Sequence, residues 1–208
     1  MPRHVILFAR TPRFGRVKTR LARDIGKIET LRFYRNTLST VARRLAQDGR
    51  YHFTIALTPD LDVAESSSPL LSPYPLQPQG GGDLGVRMAT TFKDLPAGPA
   101  LIIGSDIPDI RPHHIQHAFD ALGKNDAVFG PCDDGGYWLV GLKRICQTPP
   151  DFMKRVRWSS PHTLKDTVAT LPKHWKMSYI NTLDDIDDGA AFKKWQKRQK
   201  VRTQLRTQ

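Results

Sequence analysis

Six short apolar runs, rich in β-branched and aromatic residues, recur along the chain: HVILFA (4–9), YHFTIAL (51–57), ALIIGSD (100–106), DAVFGPC (126–132), GYWLVGL (136–142) and MSYINTL (177–183). Each has the length of a strand bounded by turn-forming residues. Between them lie stretches with helical spacing. The clearest places Leu31, Tyr34, Leu38, Val41 and Leu45 at three- and four-residue intervals and is closed by Gly49, the pattern of an amphipathic helix. Further helices are expected over 83–95, 111–123 with Pro112 at its start, 160–171, and from about Gly189 onward. Strands that alternate with helices bury both faces of a sheet, so the chain is expected to form an α/β fold with a mostly parallel central sheet and helices on both faces.

Two segments interrupt that rhythm. Residues 58–82, TPDLDVAESSSPLLSPYPLQPQGGG, are rich in Pro, Ser and Gly and are expected to be mostly irregular, a length of insertion that is usually functional or mobile. Residues 143–160 are expected to cross an edge of the sheet. No internal repeat is present. With 208 residues and 39% hydrophobic content, one domain with one sizeable core is expected over 1–192. A basic helix or tail follows over 193–208; it offers only Trp195, Val201 and Leu205 for burial and is expected to be solvated and to fray.

No run approaches the roughly 18 apolar residues of a membrane span, and the N-terminus lacks a signal-peptide pattern. A soluble, cytoplasmic protein with no membrane partner is expected. Cys132 and Cys146 follow no metal-ligand or redox spacing and are expected to be free thiols, Cys132 a small buried one. The net charge of +12 is uneven: residues 1–50 hold thirteen Lys/Arg against Asp24, Glu29 and Asp48, and the stretch after Asp188 adds seven with no acid. An anionic partner follows, either a phosphate-bearing small molecule or a nucleic acid.

Five cations lie between Arg10 and Arg20 in ARTPRFGRVKTRLA (9–22), directly behind the first apolar run. In an open parallel sheet, ligands bind beyond the carboxyl ends of the strands. Gly15, Lys18, Arg20 and the start of the next helix could together cradle phosphate, although a solvated basic loop would look the same. IIGSDIPDI (102–110) ends a strand on Asp106; a carboxylate there needs a partner, a divalent cation beside phosphates or a simple turn. TLDDIDDG (182–189) supplies Asp184, Asp185, Asp187 and Asp188, otherwise the acidic start of a helix. GPCDDGGYWLVGL (130–142) could be a plain hairpin turn, and QGGGDLGVRM (79–88) a flexible linker into a helix. His113, His114 and His117 are expected to be surface residues rather than a metal site.

These segments, with WSSP (158–161) and DDIDDGAAF (184–192), resemble nearly the whole length of the radical-SAM/selenodomain-associated transferase family, which is related to 2-phospho-L-lactate guanylyltransferase and more distantly to molybdenum-cofactor guanylyltransferase. The resemblance implies a single-domain, Rossmann-like glycosyltransferase-A or nucleotide-diphospho-sugar transferase fold. It implies that Lys18, Arg20 and Asp106 are catalytic and that Ala9, Arg10, Thr11, Gly15 and Lys18 meet the nucleotide, with Gln79, Gly80, Asp83, Leu84 and Gly85 near its base or ribose. Asp106 would hold Mg²⁺ or Mn²⁺ with Asp185 or Asp187. Asp134, Gly135, Gly136, Tyr137, Trp158 and Ser159 would face the acceptor. The chain departs from the family pattern in having Asp109 where an apolar residue is usual, and in lacking a Thr-Pro after the second acid of its last motif, so the choice between Asp185 and Asp187 stays open.

The function expected is metal-dependent nucleotidyl transfer: a small, phosphorylated acceptor attacks the α-phosphorus of a nucleoside triphosphate and pyrophosphate leaves. A glycosyltransferase using a nucleotide sugar is the alternative on the same fold. A nucleic-acid-binding module is the remote one, because the basic C-terminal run carries no recognised DNA- or RNA-binding signature.

Overall fold

The structure, a computed structural model, describes residues 1–65, 69–144 and 147–204. Cys146 and Leu205 lie outside the described residues. Seven strands form one sheet in the order β3-β2-β1-β4-β6-β5-β7: β1 (His4–Arg10), β2 (His52–Thr58), β3 (Leu76–Pro78), β4 (Ala100–Gly104), β5 (Ala127–Pro131), β6 (Tyr137–Leu142) and β7 (Met177–Tyr179). β1 to β4 pair in parallel, as do β5 and β7, while β6 runs antiparallel to both of its neighbours.

The central strand shows why the apolar runs had to be sheet. Val5, Leu7 and Ala9 enter the core on one face, whereas Ile6 and Phe8 enter the core on the other. Alternate side chains leave opposite faces, so a continuous apolar run needs cover on both. The first face is covered by α2 (Lys27–Ala46) through Tyr34, Leu38, Val41 and Leu45, and by α5 (Pro112–Lys124) through Ile115, Phe119 and Leu122. The second is covered by α4 (Leu84–Asp94) through Met88 and Phe92, together with Phe152, Met153 and α6 (Thr163–Ala169).

Two expectations change and one gains detail. Among the described residues the 58–82 segment is mostly irregular, as expected, but it carries α3 (Leu61–Glu65) and the edge strand β3, because the Leu57 carbonyl and the β2 edge remain free to pair with Leu76–Gln79. β7 is shorter than 177–183, yet the backbone keeps contact with β5 through Ile180 N to Phe129 O and Leu183 N to Pro131 O. The C-terminal helix α7 (Gly189–Gln204) is docked as well as solvated. Phe192 and Trp195 pack edge-on against Phe33 of α2 in a small core with Leu21 and Ile186, and Asp24 accepts from the Gly189 N–H at 2.7 Å. Aromatic pairs of this kind contribute beyond the area they bury. No described helix is long and apolar enough to cross a membrane.

The chain leaves β1 toward β2 on one side and later inserts β4 on the other. That reversal opens a crevice at the carboxyl ends of β1 and β4, the place where α/β sheets bind ligands.

Candidate active site

The cationic segment spans that crevice. The Tyr34 hydroxyl, buried on α2, donates to the Arg10 carbonyl and accepts from the Arg10 N–H, both at 2.9 Å, and lies 3.3 Å from Ser105 Oγ. One phenol therefore fixes the end of β1 against the β4 loop. Thr11 N–H donates to Thr58 O, and Arg13 pairs with Asp62 at 2.5 Å. Gly15 takes a left-handed turn, φ 69°. Lys18 caps α1 (Thr19–Ile25) in the left-handed region, φ 44° and ψ 55°. For a residue with a Cβ this costs about 1–2 kcal/mol, which tertiary contacts must hold in place.

Those contacts are carboxylates. The Lys18 side chain is 3% exposed, with Nζ 2.9 Å from Asp187 Oδ1 and 3.3 Å from Asp106 Oδ2. Burial disfavours the ammonium, but Asp106 and Asp187 outweigh it and raise its pKa above the ordinary value. Arg20 is exposed and reaches Asp187 at 4.0 Å. Asp106 comes two residues after β4, and its Oδ1 is buried without a hydrogen-bond partner. Asp185 is pushed up to about 6, first by burial and then by Asp187 and Asp134. Asp184 plays a different part: Arg198 Nη1 at 2.8 Å and Lys194 at 3.2 Å hold it, and Arg198 keeps its carboxyl down at about 2. Arg198 also faces Asp109 at 3.7 Å. The acid that stands where the family usually has an apolar residue is thus tied to α7.

The Asp133–Gly136 segment is the turn of a β5–β6 hairpin and a wall of the site at once. Cys132 N–H donates to Gly136 O, and Asp134 Oδ1 accepts from Gly136 N–H. Gly135 has φ 84°, and a Cβ there would lie 2.3 Å from the Pro161 carbonyl oxygen, so the hairpin presses directly on the Trp158–Pro161 segment. Gly135 O also accepts from Leu164 N–H.

Two cavities share Phe8, Asp106, Asp134, Trp158 and Ser159. The larger, about 890 Å³, is bordered by Ala9, Arg10, Arg16, Lys18, Arg20, Gln79, Leu84, Arg87 and Asp187. The smaller, about 230 Å³, is bordered by Asp134, Gly136, Tyr137, Trp158, Ser159 and Asp185, with Met88, Ile102, Trp138 and Val140 behind them.

Several residues expected to meet the nucleotide also have structural partners. Gln79 is buried and donates its amide to Ala9 O and Ala56 O at 3.0 and 2.9 Å, which locks β1 to β2. Asp83 caps α4 by accepting from Val86 N–H at 2.9 Å. Gly85 leaves room for Trp158 and the Met153 carbonyl, each 2.6 Å from a would-be Cβ. Gly80 N–H approaches Asp60 Oδ1 at 3.3 Å. Thr11, Gly15, Gly80, Asp83, Gly85 and Gly135 border neither of these two cavities. Arg16, Tyr34, Arg87 and Ser160 do and were not singled out; Arg87 follows the glycine cluster at helical spacing from Asp83, a signal that the sequence did contain.

His114 is a correction. It is buried rather than on the surface, its Nδ1 accepting from Arg111 N–H at 3.2 Å to cap α5, and burial lowers its pKa to about 4. His113 and His117 are exposed. Cys132 is half-buried rather than buried, and burial, with the nearby Asp185 and Asp134, raises its thiol pKa and disfavours the thiolate.

The acids fit a hard divalent cation in donor type: carboxylate oxygens, one of them the orphaned Asp106 Oδ1. Among the described residues no three His, Cys, Asp or Glu side chains are grouped to hold an ion unaided, and Mg²⁺ typically relies on one or two carboxylates plus substrate phosphates.

Solved structures share this architecture. A provisionally named nucleotide-diphospho-sugar transferase from Desulfovibrio desulfuricans G20 is 28% identical, with a TM-score of 0.78 over 90% of this chain and 84% of its own. CMP:2-keto-3-deoxy-manno-octonic acid synthetase, solved with CTP, is 11% identical with a TM-score of 0.57, over 97% of this chain and 100% of its own. Rv0371c from Mycobacterium tuberculosis H37Rv, solved with manganese, is 12% identical with a TM-score of 0.56, over 93% and 97%. The fold is therefore that of nucleotide-diphospho-sugar transferases and cytidylyltransferases. No curated protein matches the sequence. Residues 40–160 match the profile of a family described as "Uncharacterized protein conserved in bacteria (DUF2064)"; more than half of the chain is covered, and the chain belongs to that family.

Proposed function

We propose that this chain is a nucleotidyltransferase that moves a nucleoside monophosphate from a nucleoside triphosphate to a small-molecule acceptor. The carrying observation is the Lys18 ammonium, buried between Asp106 and Asp187 at the edge of a cleft bordered by Arg10, Arg16, Arg20 and Arg87. The cations give a polyphosphate its counter-charge, and Lys18 and Arg20 offset the charge that develops as pyrophosphate departs. The acceptor oxygen bonds to the α-phosphorus while the bond to pyrophosphate breaks. Asp106, with Asp185 or Asp187, would hold Mg²⁺ or Mn²⁺; such an ion supplies charge neutralisation across the phosphates. The hairpin and the Trp158–Ser159 segment present the acceptor. The sequence resemblance to guanylyltransferases supports the same reading, as does the CTP complex of a fold relative.

Glycosyl transfer from a nucleotide sugar is the second reading, favoured by the description of the 28%-identical structure. Product analysis separates the two: incubation with the four nucleoside triphosphates, Mg²⁺ and an acceptor mixture should release pyrophosphate. Release of nucleoside diphosphate from nucleotide sugars, with no pyrophosphate from any triphosphate, would replace the first reading by the second.

A further inference from the structure

Lys18 stands between two kinds of partner. Its Nζ lies 2.9 Å from Asp187 Oδ1 and 3.3 Å from Asp106 Oδ2, and its side chain is 3% exposed. It also borders the larger cavity, beside Arg10, Arg16, Arg20 and Arg87, where a polyphosphate would lie. The Asp106 side chain is 40% exposed while its Oδ1 is buried, so an ion arriving from the cleft meets Oδ2, the oxygen that Lys18 already holds. An ammonium and a divalent cation on the same carboxylates repel each other and compete for the same lone pairs. Among the described residues no three His, Cys, Asp or Glu side chains are grouped to hold an ion unaided, and two carboxylates that already share one ammonium make a weak cation site.

The lysine is able to move. Its backbone is fixed in the left-handed region at φ 44° and ψ 55°, but the four-carbon stem of a lysine is flexible and its ammonium is a compact charge. A triphosphate gathered by the exposed Arg16 and Arg20 offers that ammonium new anionic partners without a change in the backbone. We propose that Lys18 is an exchangeable counter-ion: its ammonium and the divalent cation take turns on Asp106, and the arrival of polyphosphate draws the ammonium into the cleft and admits the ion. The proposal rests on the nucleotidyltransferase reading and deepens it, making Lys18 a gate on metal loading as well as a phosphate contact. Removing the ammonium should therefore act in opposite directions on the two ligands, strengthening metal alone and weakening triphosphate alone. A lysine that served only to tie the loop down would not divide them in this way.

The test uses the full chain. Mn²⁺ is titrated in without nucleotide and read by electron paramagnetic resonance; Lys18→Met should bind it about tenfold more tightly than wild type, or better. The gain should vanish in Lys18→Met/Asp106→Asn, because the ion then loses the carboxylate that the lysine had masked. With metal removed by chelation, an α,β-methylene nucleoside triphosphate should bind Lys18→Met about tenfold more weakly than wild type. A Mn²⁺ affinity of Lys18→Met equal to or below that of wild type, a gain that survives loss of the Asp106 charge, or an unchanged triphosphate affinity overturns the proposal. Should Lys18→Met fail to fold, wild type carries the test: Mn²⁺ at concentrations that fill the site should speed reductive methylation of Lys18 several-fold in peptide mass spectra, and an unchanged rate overturns the proposal. A separate arm titrates the four α,β-methylene triphosphates with Mn²⁺ into wild type. Binding by none of them counts against the nucleotidyltransferase reading, whatever the metal-alone titrations give.

Discussion

The cleft at β1 and the cavity behind the β5–β6 hairpin share a wall but are built by opposite means. The first is a loop forced into shape, with a left-handed lysine, a tyrosine clamp and buried ion pairs setting cations in fixed positions. The second is made from strand faces and a glycine turn wedged against Trp158–Pro161, with acids at its mouth. The difference teaches that fixed positive charge comes from the β1 loop, and apolar surface from strand faces, with Asp106, Asp134 and Trp158 joining the two.

The largest effect should come from the cationic side. Lys18→Ala or Asp106→Asn should lower turnover by ~10²-fold or more, since the first removes a cation that offsets phosphate charge and the second a carboxylate that would hold the divalent cation; pyrophosphate-release kinetics would measure it. Near-normal rates would show that the cleft only gathers ligand. Next is the shared wall. Gly135→Ala must move the Pro161 carbonyl and adopt a positive φ, at a cost of roughly 1–3 kcal/mol, seen as a thermal midpoint lower by several degrees. An acceptor affinity unchanged in that variant would mean that the hairpin and the Trp158 segment are not mechanically joined.

Raising NaCl from about 50 mM to about 500 mM should weaken nucleotide binding several-fold, because the exposed Arg16 and Arg20 are screened, and barely alter binding of an uncharged acceptor. Equal sensitivity of both would erase the contrast. The smallest effect concerns Asp185. Its folded carboxyl titrates near 6, above the ordinary value, so the folded state binds a proton more tightly than the unfolded one. The Asp185 contribution to stability without metal should therefore decline as pH rises from about 4 through about 6. It is read as the difference from an Asp185→Asn variant, because His114, lowered by burial to about 4, contributes in the opposite direction over the same range. Added Mg²⁺ or Mn²⁺ should reverse that trend, because only the ionised carboxylate takes a cation. Thermal midpoints across that range, with and without metal, read both slopes.

The alternation of apolar runs with helical stretches made the layers of the fold legible, because both faces of β1 and the stripe of α2 are written in residues 4–9 and 31–45. The antiparallel setting of β6 was implicit in the Asp-Asp-Gly-Gly turn, which reads as both hairpin and ligand loop; the structure shows the hairpin, with Asp134 and Gly136 bordering a cavity. The meeting of Lys18 with Asp106 and Asp187 was anticipated from the position of each after a strand. What sequence could not reveal was the structural work done within the ligand-like motif, where Gln79, Asp83 and Gly85 lock strands, cap a helix and admit an indole, while Gln79 also borders the larger cavity. His114 was hidden for a similar reason: a histidine at a helix start looks exposed until its ring is seen turned back on the Arg111 N–H.

The aromatic clasp of α7 has a bearing on how the molecule is born. Asp185 and Asp187 lie immediately ahead of a helix that docks on Phe33 and whose Arg198 holds Asp184, while their partner Lys18 is made near the beginning. Lys18 and Asp187 are 169 residues apart, so during synthesis the lysine waits for its carboxylate partner until the last helix of the fold is being made, and the ion cluster closes among the last contacts.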